Sequence, residues 1–139
     1  MDDRETALRE CKVVAVVGLS PDPSRPSYAV ARYLQLHGYR IIPVNPKAKE
    51  ILGERAYANL KDIPDKVDVV DVFRKSEEVP AIVEDALSIG ARCVWMQEGV
   101  EHAASAERAR DSGLRVVTDC CIMKEHARLL GEGKLGPAR

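Results

Sequence analysis

Apolar runs of strand length alternate along this chain with amphipathic segments of helix length, a pattern that specifies parallel strands joined by covering helices. Five strands are predicted, over residues 12–17, 40–44, 67–73, 92–96 and 114–118, with helices over 26–36, 79–89, 103–111 and 124–130. Gly38, Gly90 and Gly113 each stand where a helix should stop, just before a strand, so the helices return directly to the sheet. Residues 48–64 break the rhythm and suggest a short strand and a brief helical turn. The expected architecture is an α/β three-layer sandwich, with helices on both faces of a mostly parallel five-stranded sheet in the order 3-2-1-4-5. The length is that of one domain, residues 1–139, and the glycine-rich segment 131–139 reads as a flexible tail.

In open sheets of this kind ligands bind beyond the carboxyl ends of the strands, so the candidate site is read from the strand-to-helix loops. The run Val13-Val14-Ala15-Val16-Val17 ends in Gly18-Leu19-Ser20, which is how a nucleotide-binding turn begins. Its glycine lets backbone approach a phosphate, and the next helix offers free N–H groups, those of Ser27 and Tyr28 included. The full dinucleotide fingerprint is absent, because Ser20 and Pro23 stand where further glycines belong. After the first strand come Gly18, Ser20, Ser24, Arg25 and Ser27; after the second, Asn45, Pro46 and Lys47; after the third, Arg74 and Lys75. Gln97, Glu98 and Gly99 follow the fourth strand, and Asp119, Cys120 and Cys121 the fifth. In the expected order the cations collect on one half of the edge, which suits a ligand with one phosphorylated end. An NAD site usually carries a carboxylate after the second strand, whereas here Asn45 is followed by Lys47. That exchange fits a ribose bearing a phosphate, as in NADP or coenzyme A, and the pattern does not separate the two.

Plainer readings stand beside these. Asn45-Pro46 suits a turn that ends a strand, and Lys47 sits with Lys49 in a polar loop. Ser76 and Glu77 suit a helix cap with its first-turn acid, and Trp95 suits core packing. Composition narrows the classes further. A net charge of −1 with 4% aromatic residues argues against a nucleic-acid partner. No apolar run approaches the roughly 20 residues that cross a bilayer, and the acidic start Met1-Asp2-Asp3-Arg4-Glu5 is unlike a signal, so a cytoplasmic protein without membrane contact is expected. Cys11, Cys93, Cys120 and Cys121 show neither C-x-x-C nor zinc spacing, so reduced thiols and no metal are expected. His37, His102 and His126 form no catalytic pattern, and no catalytic residue is assigned. Cys120 and Cys121, at a helix start where a thiolate is stabilised, are the candidates for a thiol role.

Taken together, several stretches resemble the small bacterial and archaeal CoA-binding proteins, which are similar to the amino-terminal domain of the succinyl-CoA synthetase alpha subunit. They are Val17-Gly18-Leu19-Ser20-Pro21, Arg25-Pro26-Ser27-Tyr28, the segment from Gly38 to Lys47, Asp68-Val69-Val70-Asp71-Val72-Phe73-Arg74 and Trp95-Met96-Gln97-Glu98-Gly99-Val100. The resemblance implies a Rossmann-like domain that binds coenzyme A or an acyl-CoA. Gly18, Leu19 and Ser20 would lie near the diphosphate and Asn45, Pro46 and Lys47 near the adenosine, with Val72, Phe73, Arg74, Gln97, Glu98 and Gly99 completing the cleft. The chain departs from the family at Asp119-Cys120-Cys121, where an arginine is expected in place of Cys120. It also has no room for the phosphohistidine and nucleotide-grasp domains of the ligases, so the expectation is a binding, sensing or carrier module rather than an enzyme. Two other readings stay open: an NADP or NAD redox sensor or oxidoreductase, and a CoA-linked thiol redox protein using Cys120 or Cys121. A separate protein partner or a homo-oligomer stays open under every reading.

Overall fold

Strand β1 (Val13–Val17) is an unbroken apolar, mostly β-branched run, which suits a strand covered on both faces. The computed structural model, which describes residues 2–136, places it inside a five-stranded parallel sheet. Before it lies helix α1 (Asp3–Glu10), and after it α2 (Pro26–Leu36), with proline at its first turn where no N–H is needed. Then come β2 (Arg40–Val44), the antiparallel hairpin of β3 (Glu50–Ile51) and β4 (Glu54–Arg55), and a 3₁₀ turn at Leu60–Asp62. Strand β5 (Val69–Val72), a 3₁₀ turn at Ser76–Glu78 and α3 (Val79–Ser88) follow. The chain ends with β6 (Cys93–Met96), α4 (Ala103–Asp111), β7 (Arg115–Val117) and α5 (Ile122–Gly131).

Alternate residues of each strand face opposite layers. Ala15, Val70, Val72, Val94 and Met96 pack with Val83 and Ala86 of α3 and Ala109 of α4. Val14, Val16, Ile41 and Trp95 pack with Leu8 of α1, Leu34 of α2 and Leu129 of α5. The result is the expected Rossmann-like α/β sandwich.

The strand order is corrected. The sheet runs β2-β1-β5-β6-β7, so the five main strands stand in the order 2-1-3-4-5 rather than 3-2-1-4-5. Two features impose it. Arg40 N–H donates to the Lys12 carbonyl and Gly18 N–H to that of Val44, so alternation turns Pro43 away from β1. Proline lacks the N–H that an inner strand needs on that side, so β2 lies at the edge, where the Pro43 carbonyl accepts from Tyr57 N–H at 3.0 Å. Asp68, just before β5, accepts from the amides of Lys12 and Val13 at 3.0 Å and seats β5 on the other side of β1.

Helix α1 was not expected. Its Asp2 side chain caps the Glu5 amide, with Asp3 and Glu5 in the first turn and Arg9 in the last. Of the segment expected to be a tail, Gly131 closes α5, and Glu132, Gly133 and Lys134 donate back to its last carbonyls. Residues 137–139 of that segment lie outside the described residues.

Candidate ligand-binding cleft

With β1 between β2 and β5, the chain leaves β1 in one direction and β5 in the other, and the crevice beyond their carboxyl ends is the switch point where such sheets bind ligands. Gly18 sits at its floor with φ +89°. A Cβ there would press on the Phe73 carbonyl oxygen and come within 2.8 Å of Arg74 Cδ, so glycine alone lets the two loops meet. Its own N–H is used, donating to the Val44 carbonyl at 3.0 Å.

Above this floor lies a groove of about 750 Å3, which brings together Gly18, Ser20, Arg25, Ser27, Asn45, Pro46, Lys47, Phe73 and Arg74. It continues, past the shared Pro26, Phe73, Arg74 and Glu78, into a second arm of about 580 Å3 that reaches Gln97, Glu98 and Cys121. Val30 and Val100 line that arm and were not foreseen. Their signal was only the helical period of α2 and the apolar residue after the Gly99 turn. Leu19 and Val72 are fully buried and lie outside both linings, as do Tyr28, Gly99 and Cys120.

The loops are built by their own side chains. Asn45 Nδ2 donates to the Leu19 carbonyl at 2.9 Å while its Oδ1 accepts from Lys47 N–H at 2.8 Å, so this residue ties the first loop to the second and exposes Lys47. Ser27 Oγ accepts from Ser20 N–H at 3.0 Å. Tyr28 N–H donates to the Arg25 carbonyl, so of the two amides expected to face a ligand at the start of α2, that of Tyr28 is already engaged. Arg25 is exposed at the N-cap with no capping bond. Arg74, by contrast, holds Glu78 at 2.8 Å, and that guanidinium keeps the Glu78 carboxyl below its ordinary value. Among the described residues, the cations of the cleft without an ion pair are therefore Arg25 and Lys47 in the wide groove and Lys75 in the second arm. At the far end Glu98 pairs with Lys124 at 2.9 Å, and Gly99 N–H donates to Asp119 at 2.7 Å.

Two expectations about single residues change, at Ser76 and Cys120. Ser76 does not cap the helix that follows; its Oγ accepts from Glu101 N–H at 3.0 Å, and Glu78 bonds back to the Lys75 amide. The surroundings of Cys120 disfavour an activated thiol. Burial first, then the Glu125 charge, push its pKa up, and Arg4 offsets only part of this. His102 is a cap, accepting from Ser105 N–H at 3.2 Å. Trp95 is core, as expected, with its Nε1 donating to the Cys120 carbonyl at 2.8 Å. A separate cavity of about 260 Å3, bordered by Cys11, His37, Tyr39 and His126, lies at the opposite, amino-terminal edge of the sheet. Among the described residues there is no cluster of His, Cys, Asp and Glu fit for a metal, and no helix long and apolar enough to cross a membrane.

The profile of the CoA binding domain matches residues 12–127, which include every loop of the cleft. The chain belongs to the CoA binding domain family. Another sequence like it is the uncharacterized protein YneT of Bacillus subtilis, 41% identical over 120 residues, covering 86% of this chain and 89% of that one. The alpha subunit of acetate–CoA ligase [ADP-forming] II of Pyrococcus furiosus is 30% identical over 129 residues. This CoA binding domain covers 28% of that subunit's length. Among solved structures, a hypothetical protein from Pyrococcus horikoshii superposes with a TM-score of 0.87 at 43% identity, covering 93% of this chain and 90% of that one. The dinucleotide-forming acetyl-coenzyme A synthetase 1 of Ca. Korarchaeum cryptofilum superposes with a TM-score of 0.72 at 27% identity, over 83% of this chain and 27% of that one.

Proposed function

We propose that this chain binds coenzyme A, free or acylated, in the two-armed cleft, and acts as a non-catalytic binding, sensing or carrier module. The observation that carries this reading is the shape of the cleft. A wide groove that holds Arg25 and Lys47 runs past a glycine floor into a smaller arm whose apolar surface comes from Val30, Phe73, Val100 and Cys121, with Lys75, Glu78 and Glu98 bordering it. A ligand with a phosphorylated nucleotide at one end and a long neutral chain at the other matches both halves. Arg25 and Lys47 would neutralise phosphates, the bare Gly18 backbone would admit the diphosphate, and the second arm would exclude water from the chain. Both cations are exposed, so each phosphate contact should be modest and sensitive to salt. The missing carboxylate at Asn45 disfavours NAD, and the single-domain, cytoplasmic reading of the sequence is retained as part of this proposal.

Calorimetric titration of the reduced protein with CoA, 3′-dephospho-CoA, NADP and NAD at two salt concentrations tests it. Micromolar CoA binding, weakened by loss of the 3′-phosphate and by salt, is expected, with a further loss of roughly three- to tenfold in Arg25→Ala or Lys47→Ala. NADP binding without CoA binding would overturn the reading.

A further inference from the structure

Asp71 is a carboxylic acid set in the middle of β5, fully buried, beside Val16 of β1 and Trp95 of β6. It lies behind the cleft rather than in its lining. One oxygen, Oδ1, accepts from Gln97 Nε2 at 2.5 Å; the other, Oδ2, has no hydrogen-bond partner. A buried acid with one oxygen unpaired weakens a core that an apolar side chain would fill with less penalty, so its role must be sought in its one partner. Burial pushes its pKa up to about 8, against a smaller lowering by Gln97, which favours the neutral acid.

Gln97 stands just past the end of β6, on the same face as Trp95, and is only 4% exposed. What remains exposed borders the second arm, among Val30, Phe73, Val100 and Cys121. A primary amide has two polar ends. In the structure Asp71 Oδ1 engages the nitrogen, which leaves the carbonyl oxygen, Oε1, as the end available to a ligand. An acceptor at that place favours an N–H donor and disfavours a carboxylate, whose oxygens would face it without a proton between them.

We propose that Asp71 is a positioning residue that sets Gln97 to accept a hydrogen bond from a secondary-amide N–H in the neutral chain of the ligand. The inference rests on the coenzyme A reading, in which the pantetheine arm carries such amides and the nucleotide end carries none. It assigns recognition of the arm to a pair of residues separate from the cations that would hold the phosphates, so the two halves of the ligand should respond to different substitutions.

The test is calorimetric titration of the full chain, and of Gln97→Leu, Asp71→Val and Asp71→Asn, with CoA and with 3′,5′-ADP, which is the nucleotide end without the arm and without the second phosphate of the diphosphate. Gln97→Leu and Asp71→Val are expected to weaken CoA binding on the order of tenfold while leaving 3′,5′-ADP within about twofold. Asp71→Asn keeps a neutral acceptor of the same shape and should hold CoA affinity within about threefold. An unchanged ratio of CoA to 3′,5′-ADP affinity in Gln97→Leu overturns the proposal, as does an equal loss of both ligands, which marks a merely structural role. Should Asp71→Val fail to fold, the Gln97→Leu ratio and the Asp71→Asn rescue still decide. Parent protein that binds 3′,5′-ADP and CoA equally well overturns this inference alone, whereas parent protein that binds neither overturns the coenzyme A reading and this inference with it.

Discussion

At the scale of single residues, Gly18 and Asp71 set the character of the cleft. Gly18 combines a left-handed backbone with contact against the Phe73 carbonyl, so any side chain there strains the turn and separates the β1 and β5 loops. Gly18→Ala should lower stability by about 2 kcal/mol or more, read as a lower urea midpoint with an unchanged slope. Asp71 gives a pH dependence of known sign. Its carboxyl ionises near 3.8 in the unfolded chain and near 8 in the folded one, so between those values the unfolded chain binds fewer protons. The stability it contributes is complete below about pH 4 and falls as pH rises toward about 8. His126 acts oppositely: burial first, and then His37, lower its pKa, so its contribution is lost as pH falls below about 6.5. Melting temperatures of the parent and Asp71→Asn across pH 4 to 8 should therefore diverge, with the decline toward pH 8 smaller in the variant. Sequence reading found Gly18 because the turn needs it. It passed over Asp71 as a catalytic or binding group because an acid within an apolar strand gives no sign of what it faces until the β6 neighbour is known.

At the scale of elements, the parallel strands and the four helices after β1 were legible from the alternation of apolar periods, and most ends fall within two residues of the expected positions. Two things were not read. The strand order escaped because pairing depends on contacts distant in sequence, although Pro43 was a local sign that β2 cannot lie inside the sheet. Helix α1 escaped because its apolar signal is only Ala7 and Leu8, although Asp2, the first-turn acids and Arg9 are the capping pattern of a short helix. Its small apolar patch still matters. Leu8 is 4% exposed, packs in the layer with Val14 and Trp95, and its carbonyl accepts from Tyr39 Oη at 2.6 Å. Leu8→Ala should cost about 2–4 kcal/mol by denaturant unfolding, with ligand affinity unaltered because α1 lies away from the cleft.

At the scale of the whole molecule, the corrected order moves the third strand's loop, with Arg74, to the centre of the edge and still leaves Asn45, Lys47 and Arg25 on one half and Gln97, Glu98 and Cys121 on the other. The polarity expected from sequence therefore survives in part: both orders keep β6 and β7 together at one side, with Arg25 and Lys47 on the other, but Arg74 and Lys75 also line the second arm. What sequence could not supply was the depth of the second arm, which depends on Val30 and Val100 meeting across elements, or the engagement of Arg74 by Glu78. The central claim is that one ligand occupies both arms at once. Amide chemical shifts of the isotopically labelled chain, recorded while CoA is added, test this most directly. The account predicts shifts at Gly18, Ser20 and Lys47 together with shifts at Gln97 and Cys121, and none around His37 and Tyr39 at the opposite edge. Shifts confined to the His37 cavity, or no shifts at saturating CoA, would contradict it.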